Sequence, residues 1–406
     1  MRVIIVADMY PTAEHPSAGN FIHRQAVELV RQGSDVSVVR PVPSREPKDW
    51  RGLSRRQEAR VVTRTLDGIR VEEVKYFAWP QFLSPRYSAI QLTRAVAPHL
   101  RREVESAFEP AIVHAHRLYP IAAATLRVAL SSGAGFICTA RGSDVHTHPE
   151  RSRRIRRMTR DTLARAPRVL AVSQALALEA ADLEPAAQPV GVVYNGVDVD
   201  PDPSAGPAAA LRSELGLPTE GFGIVSVGRL VPGKGFTDLL DAYAAVAKEF
   251  SDAWLALVGG GPEMSSLRRA ALAHGVADRL FLPGPVLPGE VRRWIRAGDV
   301  FALATHREGI PNVLYEAMAC SRPVLATAVG GIPEVAKDGV TAILVQPGSS
   351  DQLREGLDRL ALDETLRMSM GSEGYRRVRD HFSWAESARQ LTDVYRSETE
   401  RMQREA

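Results

Sequence analysis

The sequence predicts an α/β protein made of two doubly wound domains, each with a parallel sheet that has helices on both faces. Three observations predict this class. Short continuous apolar segments alternate with segments whose apolar residues follow helical spacing, which is typical of buried parallel strands. This alternation stops at a stretch rich in Pro, Gly, Asp and Ala and then starts again. Finally, 406 residues exceed what one hydrophobic core normally supports.

The first domain is expected over residues 1–195. Its predicted strands are the five apolar segments RVIIVAD, DVSVVRP, AIVHAH, GFICTA and RVLAVS. The segment NFIHRQAVELVRQG has the spacing of a helix that ends at Gly33. Between about Val42 and Arg94 the chain is rich in Arg, Pro and Trp and contains no motif that we can interpret. The segment VYNGVDVDPDPSAGPAAA is the best candidate for a linker.

The second domain is expected over residues 196–381. Its strands are predicted at six further apolar segments: FGIVSVG, AWLALVGG, RLFLPG, DVFALAT, PVLATAVGG and AILVQPG. Residues 382–406 are charged and amphipathic, which predicts a C-terminal helix with Ser383 as its N-cap that crosses back to the first domain. A solenoid is not expected, because neither half repeats with a period of about 20 to 50 residues.

Composition and cysteine usage favour a cytoplasmic globular protein. Hydrophobic residues make up 45% of the chain and charged residues 24%, as in ordinary globular proteins. Cys138 and Cys320 lie in different halves among apolar or small residues, so we expect reduced, buried thiols and neither a disulfide nor a Cys-rich metal site. The first apolar run ends at Asp8, which is too short for a signal sequence, and no later run is long enough to span a membrane.

Positive charge is concentrated in the first half of the chain. Residues 1–200 contain 28 Lys and Arg against 21 Asp and Glu, and six arginines fall within residues 150–160, ERSRRIRRMTR, on a predicted helix. A solvated helix face is the ordinary explanation of such a run. The alternative is attraction to an anionic acceptor or to anionic lipid head groups, as a peripheral membrane contact. Nucleic acid is not expected, because no helix-turn-helix, zinc or aromatic stacking motif accompanies the charge.

The segment VSVGRLVPGKGF follows the first strand of the second domain and resembles a phosphate-binding loop. Gly228, Gly233 and Lys234 match G-x-x-x-x-G-K, but Gly235 stands where a P-loop NTPase has the Ser or Thr that binds Mg²⁺. Arg229 and Lys234 lie on a Gly-rich turn before the predicted helix FTDLLDAYAAVAKEF. Cations beside the free amides of a helix N-terminus suit a diphosphate. Two solvated basic residues on a tight turn are the alternative.

A second group of candidate ligands lies in HREGIPNVLYEAMACSRPVLAT. Glu308 and Glu316 have seven residues between them. A helix that begins near Pro311 would leave Glu308 in the preceding loop and place Glu316 in the second turn, so that both could reach one ligand. Surface or capping glutamates are the alternative. The amides expected to be free for phosphate oxygens at this helix start are those of Asn312, Val313 and Leu314.

Together these motifs resemble the retaining GT-B glycosyltransferases of family 4, the glycogen-synthase-like group also called glycosyl transferases group 1. The resemblance rests on GRLVPGKG, the E-x7-E pattern, NGVD at 195–198 and GGIPE at 330–334, and it continues to HFSW. It reaches the first domain through HAHRLYP, TARGSDV and the loop of Gly19. Each motif is weak alone, whereas their order and spacing are specific. The resemblance implies two Rossmann-like domains that face each other across a cleft.

For the second domain, the resemblance implies a nucleotide-sugar donor, most commonly a UDP-hexose. Arg229 and Lys234 would neutralise the departing diphosphate, and no metal or other cofactor would be required. Glu316 would accept hydrogen bonds from the ribose hydroxyls, and Glu308 would contact hydroxyls of the donor sugar. The glycine pair at 330–331 either lets backbone approach the donor or forms a simple tight turn. The other positions implied for donor binding are Gly19, Gly259, Gly261, Ile310, Pro311, Asn312, Val313 and Leu314.

In the first domain, the strand AIVHAH ends with His114 and His116, which we expect to face opposite sides, so that only one enters the cleft. The resemblance implies that His116 contacts the donor sugar and that His114 is packed. Opposed side chains with no third ligand nearby do not predict a metal site. Arg141 and Asp144, in the loop after GFICTA, are expected to orient the acceptor or the sugar, although Asp144 as a helix N-cap is an equal alternative.

The resemblance also implies transfer with retention at the anomeric carbon. A double displacement would need a second carboxylate beside that carbon, and none accompanies Glu308. We therefore expect front-face attack, in which the protein positions the reactants and stabilises charge. The expected acceptor is a cell-envelope or lipid-linked glycan, or a natural product such as an aminocyclitol; a non-catalytic nucleotide-sugar-binding protein of the same fold is the alternative. The residues expected to carry catalysis are Glu308, His116, Arg229 and Lys234.

Overall fold

The computed structural model describes residues 1–44, 61–77, 85–185, 187–199 and 208–405. It divides into two compact units. The N-terminal unit comprises Met1–Asn195 and Trp384–Ala406, and the C-terminal unit comprises Gly196–Ser383. Residues 200–207, the centre of the predicted linker, lie outside the described residues.

The N-terminal unit contains an eight-stranded sheet in the order β3-β4-β2-β1-β5-β6-β7-β8. Only β3 runs antiparallel to its neighbour, β4, among these strands. This hairpin falls in the segment after Val42 that the sequence left uninterpreted. The strands are β1 (Arg2–Val6), β2 (Asp35–Ser44), β3 (Val61–Leu66), β4 (Ile69–Phe77), β5 (Ala111–His116), β6 (Gly135–Ala140), β7 (Arg168–Ala171) and β8 (Gly191–Val192).

Helices connect these strands, and a π-helical turn at Leu118–Ala122 follows β5. The helices are α1 (Asn20–Arg31), α2 (Pro85–Glu105), α3 (Ala123–Ser131), α4 (Ser143–His146), α5 (His148–Arg151), α6 (Arg153–Arg165) and α7 (Gln174–Leu183). Every residue of β5 and β6 is buried, because helices cover both faces of the sheet.

The last helix of the chain, α16 (Trp384–Glu405), belongs to the N-terminal unit. Leu391 and Tyr395 are fully buried on one face of this helix and pack in one cluster with Ile5, Ile112 and Ile137 of the central strands. Each such side chain contributes roughly 1.5–3 kcal/mol of transfer free energy. The end of the sequence therefore completes the core of its first half.

The C-terminal unit contains a six-stranded, all-parallel sheet in the order β11-β10-β9-β12-β13-β14. Its strands are β9 (Gly223–Val227), β10 (Trp254–Val258), β11 (Leu280–Gly284), β12 (Val300–Leu303), β13 (Val324–Thr327) and β14 (Ala342–Val345). Its helices are α8 (Ala208–Glu214), α9 (Phe236–Glu249), α10 (Met264–His274), α11 (Pro288–Ala297), α12 (Asn312–Ala319), α13 (Ile332–Val335), α14 (Ser350–Leu362) and α15 (Glu364–His381), with a 3₁₀ turn at Ala277–Arg279.

Both sheets have a point at which the strand order reverses. Successive strands spread outward from β9 on one side and from β12 on the other, and the same reversal occurs between β1 and β5 of the N-terminal unit. Open α/β sheets bind ligands outside the carboxyl ends of the strands at such points. The loops after β9 and β12, and those after β1 and β5, are therefore the places to look for a site.

Candidate active site

The loop after β9 is closed by glycine at the start of α9. Gly235 adopts a left-handed conformation with φ 69° as the residue before the helix, and a Cβ atom there would clash with the carbonyl oxygen of Ala304. The His306 amide donates to the Gly233 carbonyl at 2.9 Å, which ties this loop to the loop after β12. A Ser or Thr does not fit at position 235, so the Mg²⁺ ligand of a P-loop NTPase has no place here.

Lys234 and Glu308, from the loops after β9 and β12, meet at this reversal point. The Lys234 ammonium donates to Oε1 of Glu308, and the two form an ion pair. Arg229 is exposed, and no side-chain partner for its guanidinium exists among the described residues. The structure thus joins two residues that the sequence assigned separately, to diphosphate and to sugar. An anion that binds Lys234 must compete with Glu308.

The loop that carries Glu308 is held by the glycine pair after β13. A Cβ atom at Gly330 would clash with the Glu308 carbonyl oxygen, and the Gly331 amide donates to the Gly309 carbonyl at 2.7 Å. The next residue, Ile310, is buried and serves packing. These glycines therefore bring backbone against the Glu308 loop, which positions its side chain.

A similar requirement explains the glycines after β10. Cβ atoms at Gly259 and Gly261 would clash with the carbonyl oxygens of Gly228 and Leu230 in the loop after β9. The Leu230 amide donates to the Gly260 carbonyl at 2.9 Å. Packing of the two loops against each other is sufficient to require glycine, so the donor-binding role of Gly259 and Gly261 stays a prediction.

Helix α12 begins one residue later than the position suggested by the sequence. Pro311 is extended and precedes the helix, which begins at Asn312. The Leu314 amide donates to the Pro311 carbonyl at 3.0 Å, so the prediction that it is free is wrong; the first turn closes on this carbonyl. None of the described residues accepts a hydrogen bond from the Val313 amide. This amide is a donor that the helix start offers to a ligand.

Glu316 lies in the second turn of α12, as expected, and is only partly exposed. Within the described part of the chain its carboxyl group has no hydrogen-bond or ion-pair partner. Burial raises its pKa to about 7; the guanidinium of Arg292 opposes this shift, and the carboxylate of Asp198 adds to it. A desolvated carboxylate without partners gains most from hydroxyl donors such as a diol.

In the N-terminal unit, the two histidines at the end of β5 lie on the same face. The ring centroids of His114 and His116 are 4.3 Å apart with planes tilted by 31°. The expectation that they face opposite sides is wrong, because alternate residues of a strand project from one face. Both nitrogens of His114 have protein partners, the Tyr395 hydroxyl and the Thr139 hydroxyl, each at 2.7 Å. His114 is therefore a packed residue.

His116 has one nitrogen engaged and one without a partner. Nη2 of Arg141 donates to Nδ1 of His116 at 2.6 Å, which places the ring proton on Nε2. Nε2 is buried and has no partner among the described residues. Burial and the adjacent Arg141 charge lower the pKa of His116 well below its usual value. The ring is therefore neutral and presents one unpaired N–H group.

Arg141 is held in place by a residue that the sequence analysis did not select. Its Nη1 donates to Oδ1 of Asn195 at 2.8 Å, and its guanidinium carbon lies 4.8 Å from the centroid of the Phe21 ring. Burial lowers the pKa of Arg141 to about 10, which leaves it charged at neutral pH. Asn195 is the first residue of the motif NGVD. The motif therefore pointed to Asn195, but it did not predict the contact with Arg141.

Asp144 is buried and joins two loops. Its carboxylate accepts from the Arg141 amide at 2.9 Å and from the Leu118 amide at 2.7 Å. The residue before its short helix is Gly142, so Asp144 is not the N-cap.

Gly19, before α1, has φ 66°, and a Cβ atom there would clash with the Met9 carbonyl. No described residue accepts a hydrogen bond from the Gly19 amide.

Family models match both halves of the chain. The model described as Glycosyltransferase Family 4 matches residues 18–201, and the model described as Glycosyl transferases group 1 matches residues 208–377, so the two together span most of the sequence. The chain belongs to glycosyltransferase family 4. The resemblance read from its motifs is thereby confirmed, and this protein is an enzyme that transfers glycosyl groups.

Two relatives of this family 4 glycosyltransferase differ in how much of the chain they match. TuaC of Bacillus subtilis, whose name assigns it to teichuronic acid biosynthesis, is 28% identical over 404 residues, which are 98% of this chain and 99% of that protein. The GDP-mannose-dependent alpha-(1-6)-phosphatidylinositol monomannoside mannosyltransferase of Mycobacterium tuberculosis is 33% identical over 214 residues, 50% of this chain and 54% of that protein.

Solved structures share the fold. HepE of Anabaena, crystallised with UDP, has a TM-score of 0.73 at 19% identity and covers 98% of this chain and 100% of its own. Sucrose-phosphate synthase of Thermosynechococcus elongatus has a TM-score of 0.75 at 20% identity, with 98% and 99% covered. The prediction of a GT-B fold with two Rossmann-like domains is confirmed.

Sequence reasoning also missed an ion pair at the reversal point of the N-terminal sheet. Asp8 follows β1, Arg117 follows β5, and Nη1 of Arg117 lies 2.7 Å from Oδ2 of Asp8. Both are the first polar side chains beyond a strand end, so the rule for open sheets could have selected them.

Across the described ranges, no three His, Cys, Asp or Glu side chains are grouped to hold a metal ion. No helix in these ranges is both long and apolar enough to cross a membrane.

Proposed function

We propose that this family 4 glycosyltransferase moves a hexose, with retention, from a UDP-hexose to an acceptor hydroxyl without a divalent metal ion. One observation supports this proposal most directly: four groups suited to a nucleotide sugar lie on the loop after β9 and on the helix that follows β12. They are the unpaired guanidinium of Arg229, the ammonium of Lys234, the amide of Val313 and the partnerless carboxyl group of Glu316.

The diphosphate is bound by Arg229, Lys234 and the N-terminus of α12. Charge-assisted hydrogen bonds to these groups strengthen as the leaving group becomes more negative, which is the condition for catalysis. Lys234 exchanges Glu308 for a phosphate oxygen, and Glu308 is then available to the hydroxyls of the donor sugar. Position 235 offers no metal ligand, so the cations of the chain perform the neutralisation.

Glu316 accepts from the ribose hydroxyls, and the Nε2–H of His116 donates to a sugar hydroxyl. Both assignments use buried or partly buried groups whose partners are missing from the described chain, and an unmade hydrogen bond of this kind costs about 1–3 kcal/mol. Arg141, Asn195 and Asp144 act on His116 and its loop and are positioning residues.

The reaction forms a bond between the acceptor oxygen and the anomeric carbon on the face from which the diphosphate departs. The acceptor proton passes to the departing phosphate oxygen, and the bond between that oxygen and the anomeric carbon breaks. The protein supplies position and charge. Similarity over nearly the full length to TuaC, whose name assigns it to teichuronic acid biosynthesis, favours a glycan as acceptor.

The test begins with a thermal-shift screen of UDP-, GDP- and ADP-hexoses, followed by transfer with the donor that stabilises the protein. The anomeric configuration of the product is read by NMR, with and without EDTA. We expect an axial bond from an axial donor, undiminished activity in EDTA, and loss of transfer in Lys234→Ala. Lys248→Ala, which removes an exposed lysine at the far end of α9, is the matched control. An inverted product, dependence on a divalent ion, or equal activity of the two variants would overturn the proposal.

A further inference from the structure

The arginine-rich segment forms two helices and a cavity. Ser152 is extended, with φ −159° and ψ 127°, and separates α5 from α6, so the single helix expected over residues 150–160 is interrupted. The hydroxyl of Ser152 accepts from the Arg154 amide at 3.3 Å and caps α6. A cavity of about 420 Å³ is lined by Arg153, Arg156, Arg157, Arg160, Asp161 and Glu184.

Four of these arginines follow helical spacing on one face of α6. Residues three and four apart are neighbours on a helix, so each of these guanidinium groups has a like charge beside it. Arg160 pairs with Glu184 at 2.8 Å. Arg153, Arg156 and Arg157 are exposed, and within the described part of the chain none of them has a hydrogen-bond or ion-pair partner.

This arrangement opposes the stability of the helix. The first turn of α6 contains no acidic residue, although the helix dipole favours negative charge there and disfavours cations. Like charges at three- and four-residue spacing add similar small costs. A helix that violates local electrostatic rules without an internal compensation is typical of a functional surface.

The position of the cavity relates it to the rest of the N-terminal unit. α6 follows β6 through Arg141 and the short helices α4 and α5, so the first turn of α6 lies toward the carboxyl ends of the strands. His116 ends the adjacent strand, β5. The first turn of α6, which carries Arg153, therefore lies on the side of this unit where open sheets bind their ligands.

We propose that this cavity binds a polyanionic glycan, the acceptor chain itself, through carboxylate or phosphate groups on successive residues. The inference rests on the proposed function, in that it names the chemical class of the acceptor. From Arg153 to Arg160 the row extends about 10 Å along the helix axis, which a single phosphate group cannot span. The concave shape, with Asp161 and Glu184 in its wall, suits a discrete chain better than the flat anionic surface of a bilayer.

The test compares two triple variants with equal loss of charge. Arg153→Gln, Arg156→Gln and Arg157→Gln together remove the unpaired cations of the cavity. Arg151→Gln, Arg154→Gln and Arg165→Gln remove three exposed arginines of the same segment that do not line it. The probes are a fluorescent oligogalacturonate, the same oligosaccharide with its carboxyl groups reduced, inorganic phosphate, and vesicles with and without phosphatidylglycerol.

We expect the wild-type protein to bind the oligogalacturonate in a salt-dependent manner and to bind the reduced oligosaccharide and phosphate much more weakly. The cavity variant should lose about tenfold to a hundredfold in affinity, as three partly screened charge contacts would give, and the control variant less than about threefold. Equal losses of oligogalacturonate affinity in the two variants would overturn the proposal. The proposal would also fail if the protein bound vesicles through the cavity arginines and did not bind oligogalacturonate. Thermal stabilisation by UDP-hexose is measured in parallel for wild type and both variants. Its absence from all three would refute the proposed function, whereas the oligogalacturonate affinities would still show whether the cavity binds a polyanionic glycan.

Discussion

Replacement of Glu316 by Gln tests the donor site through both stability and binding. The substitution keeps the shape of the side chain and removes its charge. Burial raises the pKa of Glu316 from its ordinary 4.5 to about 7, which at about 1.4 kcal/mol per unit corresponds to at most about 3 kcal/mol. Because the folded pKa lies above the unfolded one, this residue's contribution to stability is fully present below pH 4.5 and is lost as pH rises to about 7.

Urea denaturation of wild type and Glu316→Gln, followed from pH 5 to pH 8, measures this effect. We expect the variant to be more stable than wild type by about 1 kcal/mol at pH 5 and by about 3 kcal/mol at pH 8. Glu355→Gln, at an exposed glutamate of the same unit, should show a much smaller change. A difference that does not grow with pH would refute the argument that Glu316 is desolvated and without a partner.

The same variant should bind the nucleotide more weakly. A carboxylate that accepts hydrogen bonds from a diol contributes about 1.5–3 kcal/mol, or roughly tenfold to a hundredfold in affinity. Titration calorimetry with UDP and with 2′,3′-dideoxy-UDP, which lacks both ribose hydroxyls, separates this contact from the rest. Only the affinity for UDP should fall strongly. Protonation of the phosphates does not affect the ratio of the two affinities, because both nucleotides carry the same diphosphate. Equal loss for both nucleotides would show that Glu316 does not contact the ribose.

Three further outcomes are expected. Gly235→Ser should lower the melting temperature. The serine Cβ would clash with the Ala304 carbonyl, and a backbone with φ 69° costs a non-glycine residue about 1–3 kcal/mol. A stable variant whose nucleotide binding depends on Mg²⁺ would contradict this expectation. Lys234→Ala should weaken UDP about tenfold or more. Glu308→Gln should not weaken UDP, because UDP lacks the donor sugar and the substitution releases Lys234 from its ion pair; a double-mutant cycle without coupling would refute that pairing. ¹⁵N NMR should show His116 neutral at pH 6, since burial and a neighbouring cation hold its pKa well below the usual value. Lowering the pH below about 6.5 should therefore destabilise the protein as the unfolded chain takes up protons, and a protonated His116 at pH 6 would refute the arrangement.

Local pattern was a good guide to the elements of the fold. The apolar segments AIVHAH and GFICTA coincide with β5 and β6, because strands buried on both faces must be apolar throughout. The hairpin β3–β4 was missed, since no residue of its strand β3 is fully buried and the strand has no such run. The sequence did contain the information needed to place His114 and His116 on one face, because side chains two residues apart on a strand project to the same side.

Other site features depended on contacts that no pattern contains. The glycines at 235, 259, 261 and 330 each face a backbone carbonyl from another segment, so their requirement follows from packing of distant loops. The Leu314 amide was expected to be free and is not, because the first turn of α12 closes on Pro311. Similarly, the missing partners of Glu316 and of His116 Nε2 are visible only when all their neighbours are in place.

By itself the sequence determined most of the order of strands and helices apart from the β3–β4 hairpin, together with the division into two α/β domains and the family, since these follow from local hydrophobic periodicity and from motifs in a specific order. The tertiary structure alone decided which strand ends became neighbours. Lys234 meets Glu308 from 74 residues away, and His114 meets Tyr395 from 281 residues away. The physical reason is that the order of strands in a sheet is set by the packing of helices on its faces, which joins segments of the chain that have no local influence on each other.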